Sequence, residues 1–486
     1  MDAPRVRTFT FHQEQRETGE RVIQNFTQNP TNPFVILLAQ MQSGKTGTYL
    51  HVALSMMKSI AVRQVVIVTG TTDRSLREQT NHDLENAISQ FAYDEKIMDK
   101  TEVLKAGMSI HFGQDLKSMN VLKDDTLIIW DESHMAQSDI NRPYLEVFGK
   151  FGLRETLQGN FDELRRRNIR ILSVSATPFS ELICNQKIVL DVHTDGEMKA
   201  LTPEFKNHKV VVTMKNSKAY KGLSTISEEG RLKFEAKSLD VDGGAHLERV
   251  MRMCPRPEQY VIVRTRKKDH KGALEQICRK LGADYRHFFG GSECAKMFAT
   301  IGFDALKIAP TRLTLVHICG KARMGQVLPK QHIGFVYEQS RTPNTDTILQ
   351  SLVGRMCGYP VNGQFTGDIY LSGSTSEEVA KYIDFWDNHD ENPEEYLVCK
   401  KATNVSKTKS MKGPYILDQD GRVWEKLVPM KVFYEDMERD FGDGKLTWKD
   451  IIKADMSVLK NYAIDHREGF KTFAGNDQYP QIMEGI

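Results

Sequence analysis

Short apolar runs alternate with amphipathic stretches along most of the chain. The run Phe34–Leu38 is followed by a helix-like stretch from Gly47 to Met57. Uninterrupted aliphatic or β-branched runs of this length are typical of strands buried on both faces of a parallel sheet. Similar runs occupy residues 64–70, 109–112, 127–132, 169–175, 259–265, 313–319, 332–337 and 367–371. The alternation predicts an α/β protein with two doubly wound parallel sheets in tandem.

The composition changes three times along the chain and thereby predicts the domain boundaries. Residues 1–195 form the first predicted domain, and residues 196–245 form a polar, lysine-rich connection. Residues 246–375 form the second domain. The remaining residues, 376–486, are first acidic, then basic, then rich in aromatic side chains. They predict a small accessory region, in which the tryptophans are more typical of a core than of base stacking.

Bulk composition limits the kinds of partner. The chain has 486 residues with 66 Lys+Arg against 64 Asp+Glu, so a nucleic-acid surface has to be a local basic track. The seven cysteines are scattered without a C-x-x-C pair, which argues against zinc and disulfides and favours a reducing, intracellular compartment. No apolar run approaches the roughly 20 residues that span a bilayer, and the N-terminus lacks a signal-peptide core. We expect an intracellular protein, in the cytoplasm or, if viral, in the host cell or virion.

The segment Ala39–Thr46 fits the phosphate-binding pattern G-x-x-x-x-G-K-[ST], except that alanine replaces the first glycine. In this pattern backbone N–H groups and a helix N-terminus surround phosphates, the lysine reaches the β- and γ-phosphates, and the hydroxyl binds Mg²⁺. ATP and Mg²⁺ are therefore the predicted ligands. Their predicted binding residues in this loop are Gln42, Ser43, Gly44, Lys45 and Thr46. A Gly-Lys-Thr tripeptide in an ordinary loop is the alternative.

A second motif argues against that alternative. The apolar run Leu127–Trp130 ends in Asp131 and Glu132, 86 residues after Lys45. A carboxylate at the carboxyl end of a strand is well placed to hold Mg²⁺ beside phosphates. Thr46 and Asp131 are therefore the predicted metal ligands.

Two further segments of the first domain are candidates for contacts at the same site. Gln13 or Gln15 can read the adenine edge through its amide, or can simply belong to a solvated first helical turn. Ser175 and Thr177 end another apolar run, where their hydroxyls can couple the acidic pair to the γ-phosphate. A strand that runs out into a proline turn is the alternative for the second segment.

Candidates for nucleic-acid contact follow strands in both domains. Thr69 and Gly70 end one run, and Thr265 lies within the basic stretch that follows another. Arg323 belongs to a glycine-containing segment, residues 320–329. Hydroxyls and bare backbone after a strand can bind a phosphate, but ordinary turns and a solvated basic loop explain the same residues.

Taken in order, the motifs resemble those of superfamily 2 helicases and translocases over about residues 8–372. The resemblance implies two RecA-like domains that hold ATP between them and bind nucleic acid. It implies that Asp131 holds Mg²⁺ in a DExH box completed by His134, and that Glu132 orients the attacking water. By the same likeness Ser175 and Thr177 form the coupling motif, and Gln350 and Arg355 belong to the arginine-finger motif.

The second domain departs from this family in three places. Gly358 stands where a second arginine is usual, and Val327 stands where an aspartate is usual. Gln350 lies four residues before Gly354, rather than three. Arg323 or Arg341 can substitute for the missing cation, and the sequence does not choose between them.

Three functions remain open from the sequence. The leading one is an ATP-dependent helicase that translocates on one strand, with DNA favoured over RNA by the histidine of the DExH box. The second is a double-strand DNA translocase that does not separate strands. The third is a nucleotide-gated nucleic-acid-binding scaffold with weak ATPase activity. Protein partners are expected, if anywhere, through the C-terminal region; no membrane and no zinc are expected.

Overall fold

The computed structural model describes part of the chain, which groups into two compact units. The described residues are 9–28, 32–69, 74–112, 115, 122–133, 143–153, 156, 161–178, 187–191, 200–202, 209–254, 256–265, 268–289, 297–298, 302–319, 328–339, 349–360, 364–388 and 415–417. Unit 1 comprises residues 1–38, 46–214 and 391–486, and unit 2 comprises residues 39–45 and 215–390. The loop 39–45 therefore groups by its contacts with unit 2, although it directly follows a strand of unit 1.

The described residues form fifteen strands. In chain order they are β1 (Phe34–Leu38), β2 (Gln64–Thr69), β3 (Met108–Phe112), β4 (Thr126–Asp131), β5 (Arg170–Ser175), β6 (Lys187–Asp191), β7 (Ala200–Thr202), β8 (Val210–Thr213), β9 (Leu232–Lys233), β10 (Tyr260–Arg264), β11 (Asp284–Phe289), β12 (Thr314–Cys319), β13 (Ile333–Glu338), β14 (Asp368–Tyr370) and β15 (Tyr415–Leu417).

Eleven α-helices accompany these strands in the described part of the chain. They are α1 (Gln13–Thr27), α2 (Lys45–Lys58), α3 (Arg74–Asp94), α4 (Thr101–Gly107), α5 (Pro143–Lys150), α6 (Asp162–Arg166), α7 (Leu223–Glu228), α8 (Leu239–Asp242), α9 (Ala245–Arg252), α10 (Lys271–Leu281) and α11 (Ser376–Asn388). Within these residues no helix has the length and apolar character that crossing a membrane requires.

Unit 1 is built on a six-stranded sheet in the order β3-β2-β4-β5-β1-β8, in which every neighbouring pair is parallel. Strands β1 and β4 are buried along nearly their whole length because helices cover the sheet. The core beneath α5 and α6 contains Trp130, whose ring meets Phe148 edge to face at 6.0 Å. A separate three-stranded sheet has the order β15-β6-β7.

Unit 2 repeats this architecture with a second six-stranded parallel sheet, in the order β11-β12-β10-β13-β14-β9. Helices α9 and α10 pack on one face over Val263, Leu315 and Phe335. The segment Leu349–Val353 is a single π-helical turn. Such turns are rare and frequently occur at functional sites.

The two parallel sheets confirm the predicted tandem RecA-like fold. The predicted apolar runs all form strands. In the two six-stranded sheets β8, β9 and β11 were not predicted, because they are short or carry polar side chains at the sheet edges, and the three strands of the separate sheet, β6, β7 and β15, were not predicted either. The division between the units also differs from the predicted domain boundaries. Residues 210–213 join the first sheet, and residues 223–242 and 376–388 belong to unit 2. Apart from β15, residues 389–486 lie outside the described residues.

Candidate nucleotide site

The predicted phosphate loop lies between β1 and α2, and its backbone has the conformation that such a loop needs. Gln42 and Gly44 both have positive φ angles, 58° and 96°. The second value is one that side chains with a Cβ rarely adopt, which explains the glycine at 44. The Ser43 N–H donates to the Gln40 carbonyl over 3.2 Å, which curls the loop. Lys45 and Thr46 are the first residues of α2, and the positive end of a helix dipole favours anions.

The acidic pair lies at the same edge of the unit 1 sheet as the end of β1. In the strand register Leu38 is opposite Ser175, and Asp131 is opposite Val174, so β5 separates β1 from β4. Because neighbouring strands lie about 4.8 Å apart, the ends of β1 and β4 are separated by roughly 10 Å. This separation leaves room for a phosphate group and a metal ion.

The buried hydroxyl of Tyr49 interacts with both predicted metal ligands, Thr46 and Asp131. Burial raises the pKa of its hydroxyl, the nearby Asp131 carboxylate raises it further, and a hydrogen bond with the Thr46 side chain acts in the opposite direction. The Asp83 and Glu132 carboxylates also contribute to the rise. The Thr46 side chain is therefore hydrogen-bonded to a buried hydroxyl on which the Asp131 and Glu132 carboxylates act electrostatically. Hydroxyl and carboxylate oxygens are the hard donors that Mg²⁺ prefers, so these residues fit the ion.

Glu132 is held in an uncommon backbone conformation. Its φ angle is +54°, and the residue is only 5% exposed. Its N–H donates over 3.0 Å to Oδ1 of Asp131, which fixes the turn that ends β4. A non-glycine residue in the left-handed region costs about 1–3 kcal/mol, and such strain concentrates at functional sites. The predicted strand ended at residue 132; the observed strand ends at Asp131 because the chain turns here.

The predicted coupling residues are buried beside the acidic pair. The Ser175 hydroxyl lies 3.3 Å from the Thr177 hydroxyl and accepts from the Thr177 N–H at 3.2 Å. The Ser133 hydroxyl donates to the Val174 carbonyl over 3.3 Å. The end of β4 is thus linked to β5, the strand that carries the coupling residues.

The structure distinguishes the two glutamines that the sequence left open. Gln13, the predicted adenine ligand, is exposed and donates to Glu17 over 2.7 Å. Gln15 is 7% exposed, and its Oε1 accepts from the His12 N–H over 2.9 Å. A Cβ added to Gly47, in the first turn of α2, would lie 2.4 Å from Nε2 of Gln15. Gln15 therefore lies against the phosphate-loop helix, and it replaces Gln13 as the candidate.

Unit 2 brings the predicted arginine-finger segment to the loop 39–45. A Cβ on Gly354 would lie 2.1 Å from the Met41 sulfur, and the Tyr220 hydroxyl donates to the Met41 carbonyl over 2.6 Å. Arg355 follows Gly354 directly and is 6% exposed. The backbone of Gln350 belongs to the π-helical turn. The side chain of this residue lies outside the described part of the structure.

The predicted nucleic-acid contacts receive less support. The Thr265 hydroxyl is buried 2.6 Å from Nε2 of His317, and the Thr265 N–H donates to the Ile318 carbonyl. Burial lowers the pKa of His317 to about 4, so the imidazole is neutral at pH 7. Because the hydroxyl and the N–H of Thr265 are both engaged inside unit 2, this geometry does not support a phosphate contact. Thr69 is buried at the end of β2, opposite Asp131. Gly70, His134 and Arg323 lie outside the described residues.

The sequence matches a known family over this part of the chain. Residues 8–180 match the family described as the type III restriction enzyme, res subunit, a range that includes the phosphate loop and the acidic pair. This match agrees with the resemblance to superfamily 2 helicases that the motifs indicate, and assignment to the DExH subgroup stays a prediction.

One protein similar to part of this chain comes from Acanthamoeba polyphaga mimivirus. It is an uncharacterized protein, 38% identical over 56 residues, which cover 12% of this chain and 14% of that protein. The chain therefore matches only a small fraction of this relative's length.

Solved structures are similar to this chain at lower sequence identity. Saccharomyces cerevisiae Dbp5, bound to RNA and ADP BeF3, is 13% identical with a TM-score of 0.44, covering 78% of this chain and 93% of that chain. The ATP-dependent type ISP restriction-modification enzyme LlaBIII, bound to DNA, is 12% identical with a TM-score of 0.45. The match covers 99% of this chain and 36% of that chain. RecG bound to a three-way DNA junction is 12% identical with a TM-score of 0.44. The match covers 82% of this chain and 48% of that chain.

Proposed function

We propose that the protein is an ATP-dependent nucleic-acid helicase that moves along one strand by ATP-driven closure of its two RecA-like units. The observation that carries the proposal is the strand register, which places the start of the phosphate loop and the acidic pair at the same edge of one parallel sheet, with Thr46 hydrogen-bonded to the buried Tyr49 hydroxyl. The match of residues 8–180 to a nucleic-acid enzyme family supports the same conclusion.

The residues of this chain have distinct proposed roles. Lys45 and the N–H groups at the start of α2 bind the phosphates of ATP, and Thr46 and Asp131 hold Mg²⁺. When bound, Mg²⁺ neutralises charge on the β- and γ-phosphates. Glu132 orients the attacking water, and Arg355 stabilises the charge that develops during phosphoryl transfer. Ser175 and Thr177 link the acidic pair to the nucleotide.

DNA is the proposed substrate, and the family match supports it because restriction enzymes act on DNA. The same match favours a second candidate function, a double-strand DNA translocase that does not separate strands. Contacts of either motor with nucleic acid are expected to be mainly to phosphates, and hence little dependent on sequence.

The test compares ATP hydrolysis by the full chain with single-stranded DNA, duplex DNA and RNA, alongside strand displacement on tailed duplexes. We expect single-stranded DNA to raise the hydrolysis rate and tailed duplexes to be unwound. The Lys45→Ala variant serves as the control, because loss of the ammonium removes a phosphate contact and should abolish both activities.

The other outcomes are equally decisive. Stimulation by duplex DNA without strand displacement selects the translocase, and stimulation by RNA alone contradicts DNA as the substrate. ATP binding without any nucleic-acid-stimulated hydrolysis selects the scaffold and overturns the motor proposal.

Replacing Gln15 by alanine tests the adenine contact. The loss of one amide hydrogen bond to the base, about 1 kcal/mol, should weaken ATP binding by about fivefold. GTP binding should not change, so selectivity for ATP over GTP should fall. The matched control is Gln13→Ala, because the Gln13 side chain is exposed. Gln15 also caps α1, so a thermal unfolding curve measures any loss of stability. Equal weakening of ATP and GTP binding would mean that Gln15 acts only through the fold.

A further inference from the structure

Lys330 is a buried cation in unit 2 that the motifs did not single out. It follows Pro329 and is only 4% exposed. Its ammonium donates to the Cys357 carbonyl. A lysine ammonium has three donors, and among the described residues this carbonyl is its one hydrogen-bond acceptor. Two donors are thus left for a ligand.

The surroundings of Lys330 do not neutralise its charge. The groups that face the ammonium are the neutral Cys357 thiol and the Arg355 guanidinium, and no carboxylate of the described residues forms an ion pair with it. Burial, and the Arg355 charge to a smaller extent, lower the pKa of Lys330 to about 8. A buried charge without a counter-ion is costly. An anionic ligand would remove that cost.

The position of the ammonium indicates which anion it meets. A Cβ added to Gly358 would lie 3.1 Å from Nζ of Lys330 and 3.1 Å from Cβ of Gln42, a residue of the phosphate loop. The backbone at Gly358 has a φ angle of +125°, which side chains with a Cβ rarely adopt. Position 358 therefore cannot carry the second arginine of the family without rearrangement. The Lys330 ammonium occupies the space into which that side chain would extend.

A shallow recess in the surface of unit 2 borders this point. Its lining includes Lys330, Gly358 and Tyr359. Two other cations line it, Lys221 and Arg231, and both are bonded to the Glu229 carboxylate. Among the three lysine and arginine side chains of the recess, Lys330 is the one whose charge has no carboxylate partner in the described part of the chain.

We propose that Lys330 binds a phosphate oxygen of the nucleotide held by loop 39–45, in place of the second arginine that is absent at position 358. The inference rests on the proposed function in that it requires nucleotide binding at this loop. A phosphate of nucleic acid has the same chemistry, and the experiment distinguishes the two sources.

The experiment measures binding by the full chain of a fluorescent ATP analogue without nucleic acid, and of single-stranded DNA without nucleotide. Lys330→Met should weaken nucleotide binding by about 10- to 100-fold, which corresponds to one lost charge-assisted contact. DNA binding should not change. Lys307→Met is the matched control, because this exposed lysine of unit 2 pairs with Asp304.

Thermal unfolding without ligand separates a binding role from a structural one. Replacing a buried, unpaired charge by an apolar side chain of similar length should leave the unfolding temperature of Lys330→Met no lower than that of the parent. If Lys330 serves only to hold the Cys357 carbonyl, the variant should be less stable and bind the nucleotide as the parent does. That result would overturn the inference.

The pH dependence supplies a third readout. The ammonium binds phosphate only while protonated, so nucleotide affinity of the parent should fall by about tenfold between pH 7 and pH 9, and Lys330→Met should lack this fall. Selective weakening of DNA binding would assign the site to nucleic acid and contradict the nucleotide proposal. If the parent binds no nucleotide, the proposed function fails; if the parent and Lys330→Met bind it equally, only the Lys330 inference fails.

Discussion

Replacement of Glu132 by glutamine is expected to lower the turnover number for ATP by about 10²- to 10⁴-fold, the usual contribution of a positioned general base. Glutamine keeps the shape of the side chain and removes the carboxylate that orients the attacking water. Asp131, Thr46 and Lys45 are unchanged in this variant, so ATP and Mg²⁺ should bind as tightly as in the parent. Single-turnover hydrolysis and equilibrium binding of ATP measure the two effects separately.

The conformation of Glu132 makes this substitution informative. Its φ angle of +54° is maintained by the surrounding structure, and glutamine at the same position meets the same backbone constraint. The control is Glu163→Gln, because Glu163 lies on the surface of unit 1, where it pairs with Arg166. Hydrolysis by Glu132→Gln at the parent rate would show that another group is the base.

Replacement of Arg355 by alanine is expected to lower the turnover number by about 10³- to 10⁵-fold, the range found for arginine fingers. The guanidinium is proposed to act on charge that develops only in the transition state, so ATP affinity should change far less than turnover. Comparing the turnover number with the equilibrium dissociation constant for ATP tests this difference.

Arg355 is 6% exposed, so its removal can also affect the packing of unit 2. Arg355→Lys keeps a charge but loses the planar fork, and it should be impaired in turnover while unfolding near the parent temperature. Arg252→Ala is the control, because Arg252 is exposed in the same unit and pairs with Glu248. An equal fall in ATP affinity and turnover for Arg355→Ala would indicate simple binding rather than transition-state stabilisation.

The phosphate loop and the acidic pair were found from the sequence because their signals are local. An apolar strand, a glycine with a positive φ angle and a lysine at a helix start lie within a dozen residues of one another. The carboxyl ends of parallel strands lie at one edge of a sheet, so Thr46 and Asp131 could be placed together without coordinates. Tyr49 was missed because a tyrosine within a helix has the pattern of an ordinary core residue.

The choice between Gln13 and Gln15 required the structure. Both lie in the first turn of α1, and the apolar pattern of that helix does not separate them. Only the packing of Gly47 against Gln15 shows which amide reaches the phosphate-loop helix. The engagement of Thr265 by His317 was hidden for the same reason, since the two residues are 52 positions apart.

The sequence by itself determined the tandem parallel sheets, the phosphate loop and the acidic residues at the end of β4, because strand patterns and loop motifs depend on near neighbours along the chain. The tertiary structure alone decided that Gln15 rather than Gln13 lies against Gly47 of α2, how Glu132 is held and that Lys330 is buried beside Gly358. Burial, desolvation and close approach depend on residues far apart along the chain, and these contacts exist only once the sheets and helices have packed.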